Sequence, residues 1–249
     1  NSIKPFPKQK PRPCVFEYIY FARPDSLIKN KCAYEYRKRL GYELAKETDL
    51  NADLVVPVPD SGVPAALGYA EKSKKNFELG LIRNHYVGRT FIEPTQNIRS
   101  LGVKLKLNSS KTIVKNKSII LIDDSLVRGT TCHKIVKMLY ESGAREVHVR
   151  IACPEIKYPD FYGVDMPTEE ELLANNKNNQ EMCDYIKAKS LKFLSLDGLY
   201  TALINEKRQT NYPQFSDHYF TGNYPIEPQD NLRGVKIKQL SLLSGKSSS

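Results

Sequence analysis

Short apolar runs alternate with longer amphipathic stretches along most of this chain. The run Ser118–Ile122 shows no polar alternation, which predicts a strand buried on both faces. Three further runs predict strands at Leu54–Val58, Phe77–Ile82 and Glu146–Ala152. Because amphipathic segments separate these strands, the pattern predicts an α/β fold with a parallel sheet flanked by helices.

Apolar residues at helical spacing identify the segments between and after these strands. We predict helices at Cys32–Glu47, Pro64–Lys72, Thr131–Glu141, Thr168–Asn175, Glu181–Ala188 and Asp197–Asn205. Gly143 fits the position that follows a helix. The aromatic and β-branched stretch Val15–Phe21 predicts a further strand.

Composition divides the chain into one predicted domain and two terminal segments with few predicted elements. Residues 1–13 are rich in Pro and Lys and are expected to form a linker. Residues 14–229 carry the predicted elements and are expected to form one domain. Residues 230–249 are rich in Ser, Lys and Gly, and this composition predicts a poorly ordered tail. Since the first residue is Asn1, we expect a fragment or a processed product.

Several classes of protein are not expected from the composition. No apolar run approaches the ~18 residues of a membrane span, and no secretion signal is evident, so a soluble, cytoplasmic protein without a membrane partner is expected. The five cysteines form no CxxC pair, which argues against a zinc site and for reduced thiols. The four histidines show no ligand spacing.

The net charge of +10 is partly carried by one weakly patterned stretch. From Arg83 to Lys111 six basic residues meet a single acid, Glu93. Loops of this length in compact domains are commonly lids or disordered segments. Because no helix-turn-helix, zinc-finger or RNP pattern accompanies the charge, we expect a flexible basic loop that closes on a phosphorylated small molecule, and no nucleic-acid partner.

The run Ser118–Ile122 leads into the most specific motif, SIILIDDSLVRGTT. Asp123 and Asp124 end the strand beside a candidate anion site, which suggests binding of sugar hydroxyls, a metal ion or both. Hydroxyls, a guanidinium and backbone N–H groups follow at a helix start, where anions are favoured. These phosphate-binding candidates are Ser125, Arg128, Gly129, Thr130 and Thr131. An ordinary strand–turn–helix with Asp and Ser as caps is the alternative.

A second polar turn follows the predicted strand Leu54–Val58. Asp60, Ser61 and Gly62 lie between this strand and a helix whose first turn contains Pro64. Because ligands bind parallel sheets at the carboxyl ends of the strands, both polar turns are expected at one ligand-binding edge. Plain helix capping by Asp60 and Ser61 is the alternative.

The motif at 118–131 resembles the phosphoribosyl pyrophosphate (PRPP) motif of type I phosphoribosyltransferases. Longer strings, spread over roughly Pro13 to Pro225, are similar to the glutamine PRPP amidotransferase family. They are FEYIYFARPDS at 16–26, PVPDSG at 57–62, NHYVGRTFIEPTQ at 84–96, VKLKLN at 103–108, ACPEI at 152–156 and FYGVDMPTEEELLA at 161–174. The resemblance implies a type I phosphoribosyltransferase fold.

The resemblance also implies a reaction, a cofactor and partners. The family transfers the phosphoribosyl group of Mg–PRPP to ammonia, giving 5-phosphoribosylamine and pyrophosphate in the first step of purine synthesis. Mg²⁺ is the implied cofactor, purine nucleotides are implied inhibitors, and a homo-oligomer is implied. In the family the ammonia comes from an N-terminal glutaminase domain that these residues do not include, so a separate glutaminase domain or subunit is an expected partner.

Residues that match the family pattern take implied roles from it. Asp123 and Asp124 would face the ribose hydroxyls and hold Mg²⁺ together with Ser61. Ser125 and residues 128–131 would cradle the 5-phosphate, and the second polar turn would form the pyrophosphate loop. The residues implied to complete the catalytic pocket are Arg83, Tyr86, Arg89 and Lys106.

The chain also departs from the family pattern. Arg83 stands where Lys is common and His85 where Arg is common, and Arg differs from Lys in hydrogen-bond geometry. Some bacterial relatives carry an iron–sulfur cluster on four cysteines. Cys14 matches one of them, but Asp160 replaces a second and Tyr212–Phe220 lacks the remaining pair, so no cluster is expected.

Two alternatives from other function classes stay open. A non-catalytic relative that binds PRPP or purine nucleotides and regulates a partner is favoured by Arg83 and by the missing glutaminase domain. A nucleic-acid-binding protein is the weaker alternative and rests on the net charge of +10. Steeply salt-dependent binding of DNA or RNA that PRPP does not compete would support it.

Overall fold

The computed structural model describes residues 10–48, 50–84, 107–166 and 168–226. These residues form strands at Leu27–Ile28 (β1), Lys31–Cys32 (β2), Leu54–Pro57 (β3), Asn76–Phe77 (β4), Leu81–Arg83 (β5), Leu107–Ser109 (β6), Ser118–Asp123 (β7), Glu146–Ile151 (β8) and Ser190–Phe193 (β9). The helices are Ala33–Thr48 (α1), Val63–Ser73 (α2), Lys111–Val114 (α3), Thr130–Glu141 (α4), Leu173–Asn176 (α5), Asn179–Ile186 (α6), Leu196–Ile204 (α7) and His218–Thr221 (α8). Glu17–Phe21 forms π-helix, and Glu169–Glu171 forms a 3₁₀ turn.

A five-stranded parallel sheet in the order β4–β3–β7–β8–β9 forms the centre of the molecule. Its middle strand β7 is apolar and buried from Ser118 to Ile122, which agrees with the absence of alternation in the sequence. The α/β fold with a parallel sheet flanked by helices, predicted from the sequence, is confirmed.

The strand order reverses between β3 and β7. The chain runs from β3 through α2 to β4 on one side, and later adds β7 on the other side of β3. Pro57 at the end of β3 lies opposite Ile122 in β7, so the two strands end side by side. Open α/β sheets bind ligands outside such a reversal, because the connections there diverge and leave a crevice.

Two small antiparallel pairs lie outside the central sheet. Strands β1 and β2 form a hairpin before α1. Strands β5 and β6 pair with Arg83 opposite Leu107, which places the two flanks of residues 85–106 beside each other. Of the predicted flexible basic loop, residues 85–106 lie outside the described residues, as do linker residues 1–9 and the predicted tail. The two ends of the predicted loop instead belong to β5, β6 and the start of α3.

The predicted strand at Val15–Phe21 is wrong, because Glu17–Phe21 forms π-helix. Its side chains favour strands by type, but its buried positions are Val15, Phe16, Tyr18 and Ile19. In a helical turn these four side chains lie on one side, whereas in a strand residues 15 and 19 would face one side and residues 16 and 18 the other. Periodicity therefore overrides β-propensity in this segment.

One other strand prediction needs correction, and one strand was not predicted. The predicted strand Phe77–Ile82 divides into β4 and β5, because the backbone turns at Gly80, whose N–H donates to the Glu78 carbonyl. Strand β9 was not predicted, since in Ser190–Phe193 only Leu191 is fully buried and the segment resembles a loop in composition.

None of the helices in the described ranges has the length and apolar character needed to cross a bilayer.

Candidate functional site

The two polar turns predicted from the sequence meet at the carboxyl ends of β3 and β7. The Val58 N–H donates to the Ile122 carbonyl at 2.8 Å, and the Gly62 N–H donates back to the Val58 carbonyl at 2.9 Å. A Cβ atom on Gly62 would lie 2.6 Å from the Ile122 oxygen. Glycine therefore lets the turn 60–62 fold directly against the end of β7. The peptide bond between Pro59 and Asp60 is cis.

The acid pair lies where these turns meet. Asp123 accepts the Asp124 amide N–H at 3.0 Å, and Asp124 accepts hydrogen bonds from the hydroxyls of Ser125 and Ser61. Ser61 belongs to the first turn and Ser125 to the second, so one buried carboxylate joins both.

Burial makes both carboxyls of the pair harder to ionise. Desolvation, followed by the neighbouring charge of Asp124, raises the pKa of Asp123 well above its ordinary value. Desolvation also raises the pKa of Asp124, and this is opposed by the two serine hydroxyls and by the positive charge of Arg37. Two desolvated acids side by side form a site at which a cation or sugar hydroxyls are favoured.

The oxygen donors of this site suit Mg²⁺ by type. Asp123, Asp124 and Ser61 offer carboxylate and hydroxyl oxygens, and Mg²⁺ is commonly held by one or two carboxylates together with substrate phosphates. The described residues contain no cluster of three or more His, Cys, Asp or Glu side chains suited to a metal. By donor type, the residues present fit a Mg²⁺ ion.

The loop after β7 surrounds a cavity of about 230 Å³. Its lining contains every predicted phosphate-binding residue, namely Ser125, Arg128, Gly129, Thr130 and Thr131. Gly129 has a φ of +74°, which glycine adopts readily, and it immediately precedes α4. The first N–H groups of α4, which have no partner within the helix, therefore lie at this loop. The geometry suits an anion of phosphate size.

Arg128 makes a bidentate ion pair at this cavity. Its Nε and Nη2 atoms each lie 3.2 Å from a carboxylate oxygen of Glu171. Glu171 comes from the 3₁₀ turn between β8 and α5 and was not singled out in the sequence. Its pairing depends on tertiary structure, because the two residues lie 43 positions apart.

A larger cavity of about 680 Å³ lies beside the turn 60–62. Asp60, Ser61 and Arg83 line it together with the aromatic residues Tyr20 and Phe21. Arg83, predicted to be catalytic, forms an ion pair with Asp60. The other predicted catalytic residues, Tyr86, Arg89 and Lys106, lie outside the described residues.

Arg37 is a part of the site that sequence reasoning missed. It is 5% exposed and donates to the carbonyl oxygens of Tyr18 at 3.2 Å and Ala22 at 2.6 Å. It therefore fixes the π-helical segment that carries Tyr20. A signal was present, because Arg37 interrupts the apolar face formed by Ala33, Leu40 and Leu44 in the predicted helix.

Cys14 and Asp160, the two positions matched in the sequence to iron–sulfur ligands of some bacterial relatives, each make a side-chain hydrogen bond. The Cys14 Sγ atom lies 3.3 Å from the Tyr219 hydroxyl, and Asp160 bonds to the Nε2 atom of His218 at 2.8 Å. The expectation of no cluster stays a prediction.

Comparison with known proteins identifies the family. A family model described as a phosphoribosyl transferase domain matches residues 29–184, which is more than half of the chain. The chain belongs to the phosphoribosyltransferase family. The match covers both polar turns, the acid pair and the phosphate cradle. It confirms the type I phosphoribosyltransferase fold expected from the sequence.

Several curated phosphoribosyltransferases are similar to this chain over most of its length. An amidophosphoribosyltransferase of Rhizobium etli is 54% identical over 245 residues, which cover 98% of this chain and 49% of the relative. One of Staphylococcus aureus is 52% identical and covers 85% of this chain and 42% of its own length. A chloroplastic one of Glycine max is 50% identical, with coverages of 94% and 39%.

A solved structure gives the same result for the fold. Glutamine PRPP amidotransferase from Bacillus subtilis, complexed with ADP and GMP, superimposes with a TM-score of 0.80 at 47% identity. The superposition covers 89% of this chain and 49% of the Bacillus chain. The chain thus spans about half the length of the relatives it matches, and the resemblance to this family stated from the sequence is confirmed.

Proposed function

We propose that this chain transfers the phosphoribosyl group of Mg–PRPP to ammonia, giving 5-phosphoribosylamine and pyrophosphate. The observation that carries the proposal is the junction at Asp124, where one buried carboxylate accepts hydrogen bonds from Ser61 and Ser125. This junction connects the loop 125–131 and the turn 60–62 through the acid pair, which supports binding of a phosphate to the loop and of pyrophosphate to the turn. PRPP has the same order of groups, a 5-phosphate, a ribose and a pyrophosphate.

The chain's own residues take the following parts in this reaction. The loop 125–131 binds the 5-phosphate through N–H groups, hydroxyls and the Arg128 guanidinium. Asp123 and Asp124 bind the ribose hydroxyls and stabilise the positive charge that grows on the ring as its bond to pyrophosphate breaks. The turn 60–62 binds the departing pyrophosphate, and Arg83 beside Asp60 brings a cation to it.

Asp123, Asp124 and Ser61 would hold Mg²⁺, which would supply positive charge to the pyrophosphate leaving group. Tyr86, Arg89 and Lys106 are proposed to complete the pocket from residues 85–106, and closure over PRPP would exclude water that hydrolyses it. Ammonia is already a nucleophile, so the reaction requires no strong general base.

The remaining partners are proposed from the family. Because the chain spans about half of its relatives' length, we propose that a glutaminase domain or subunit supplies the ammonia. The Bacillus relative was solved with ADP and GMP, which supports purine nucleotides as inhibitors. A homo-oligomer and a cytoplasmic location are proposed as well, although the Glycine max relative is named as chloroplastic.

The test is release of pyrophosphate by the purified chain from PRPP, Mg²⁺ and ammonium. We expect release that the double substitution D123N/D124N lowers by at least about 10²-fold, the usual effect of removing groups that stabilise a transition state. The exposed acid Asp165 offers a matched control, and D165N is expected to match the wild type. Release no higher than that of D123N/D124N would overturn the proposed reaction.

A non-catalytic regulatory relative is the second candidate. The ion pair that holds Arg83 against Asp60 favours it, because this arginine replaces the lysine common in the family. Calorimetric binding of PRPP or GMP without pyrophosphate release would select this function instead.

A further inference from the structure

The loop after β7 is held from outside by the segment that follows β8. The Leu173 N–H donates to the Val127 carbonyl at 2.9 Å, within the phosphate cradle. Leu173 and Tyr185 also cover Gly129, where an added Cβ would lie 2.7 Å from Leu173 Cδ2. The cradle and this segment therefore form one packed unit.

This packing positions the Glu171 side chain beside the phosphate cradle. Leu172 and Leu173 are buried, and the Glu171 N–H donates to the Thr168 carbonyl at 2.9 Å, so the backbone on both sides of Glu171 is anchored. Its carboxylate then forms the bidentate pair with Arg128. The buried neighbours Leu172 and Leu173 thus hold Glu171 in position to pair with Arg128.

A carboxylate and a phosphate compete for the same face of a guanidinium. Both accept two parallel N–H bonds from the arginine fork, and both carry negative charge. With Glu171 bound, the two N–H groups that Arg128 turns toward it are not available to a phosphate in the cavity of about 230 Å³. A phosphate therefore gains the Nε–Nη2 edge of Arg128 only by displacing Glu171.

We propose that Glu171 competes with the substrate's 5-phosphate for Arg128 and thereby sets the affinity of the cradle. The proposal rests on the role given to Arg128 under the proposed function. The side chains of Arg128 and Glu171 are 54% and 50% exposed, so water screens the pair and its exchange for phosphate is reversible. Glu171 weakens substrate binding and so favours release of the phosphorylated product.

The size of the effect follows from the exposure of the pair. Exposed ion pairs contribute about 0.2–1 kcal/mol, which corresponds to roughly 1.4- to 5-fold in a binding constant. We expect E171Q to lower the Kd for ribose 5-phosphate by about two- to fivefold. Ribose 5-phosphate is the suitable probe because it carries the 5-phosphate without the pyrophosphate.

The experiment is calorimetric titration of ribose 5-phosphate at fixed ionic strength into the full chain and four variants. The variants are E171Q, R128Q, the double variant R128Q/E171Q and the control E169Q, which removes the same charge from the same 3₁₀ turn. We expect E169Q to bind like the wild type and R128Q to bind more weakly. In the R128Q background, E171Q is expected to change nothing further, because the competed group is gone.

Three results would overturn the competition. The first is a Kd that E171Q leaves unchanged or raises. The second is equal tightening by E169Q, or by E171Q in the R128Q background, which would indicate a general effect of charge. The third is an unchanged Kd in R128Q, which would also remove Arg128 from the cradle. If the binding pattern is as expected but no pyrophosphate is released from PRPP, the proposed reaction fails and the competition stands.

Discussion

Gly62 is the residue on which the contact between the two polar turns depends. Its φ is −75°, which any residue can adopt, so the requirement is space alone. We expect G62A to lower the free energy of unfolding by about 1–3 kcal/mol, the usual cost of overpacking, and to raise the KM for PRPP. Urea unfolding and steady-state kinetics measure the two effects. Stability and KM equal to those of the wild type would show that the turn does not need this contact.

His218 provides a pH-sensitive contact away from the site. It is fully buried, with Nδ1 3.0 Å from the Ser216 hydroxyl and Nε2 2.8 Å from Asp160. Burial lowers the pKa of His218, although Asp160 opposes the shift. The unfolded histidine keeps a pKa of ~6.5, so just below this pH the unfolded state binds more protons than the native state. Stability is therefore lost as pH falls through ~6.5 toward the lower native pKa.

Unfolding in urea at pH 7.5 and pH 5.5 measures this dependence. Between pH 7.5 and pH 5.5 the change in stability is expected to be less favourable for the wild type than for H218Q, because only the wild type carries the titrating His218. The raised pKa values of Asp123 and Asp124 act in the opposite direction, and they do so in both proteins. Burial also lowers the pKa of His148, which adds an unfavourable contribution in both proteins. Equal changes in the two proteins would contradict the assignment to His218.

At the scale of elements, Arg37 on α1 holds the π-helical segment in place through hydrogen bonds to its backbone. Removing the guanidinium leaves the carbonyls of Tyr18 and Ala22 without these partners, and each unsatisfied buried group costs about 1–3 kcal/mol. We expect R37M to be destabilised by about that amount and to raise the KM for PRPP, because Tyr20 and Phe21 lose their support beside the cavity. R37K is expected to recover part of both.

Arg39 on the same helix offers the matched control. It makes none of these bonds to the π-helical segment, and R39M is expected to stay within about 0.5 kcal/mol of the wild type. Chemical denaturation and PRPP saturation curves supply both readouts. If R37M and R39M behave alike, Arg37 does not position the segment.

The elements differ in how far their sequences predict them. Strand β7 and its loop could be predicted because an unbroken apolar run, two acids and a Gly-Thr pair each indicate the same local structure. The segment Val15–Phe21 could not, since its residue types favour a strand while its buried positions follow a helical period. Glu171 and Arg37 act through partners 43 and 15–20 residues away, and no local pattern specifies such pairs.

At the scale of the whole molecule, the sheet determines where the reaction can take place. Reversal of the strand order between β3 and β7 makes a crevice at their carboxyl ends, and the chain places its acids, hydroxyls and glycines there. The family model covers this crevice, and amidophosphoribosyltransferases are similar to the chain over about half of their own length. These comparisons support the proposal that ammonia is the acceptor.

The central claim is that breakage of PRPP is coupled to capture of ammonia, and isotopically labelled ammonium tests it most directly. The purified chain is incubated with PRPP and Mg²⁺, and pyrophosphate and labelled 5-phosphoribosylamine are measured together over a range of ammonium concentrations. We expect both products to rise together with ammonium, and D123N/D124N to abolish both. Pyrophosphate release that is independent of ammonium, or release without label in the sugar product, would contradict it.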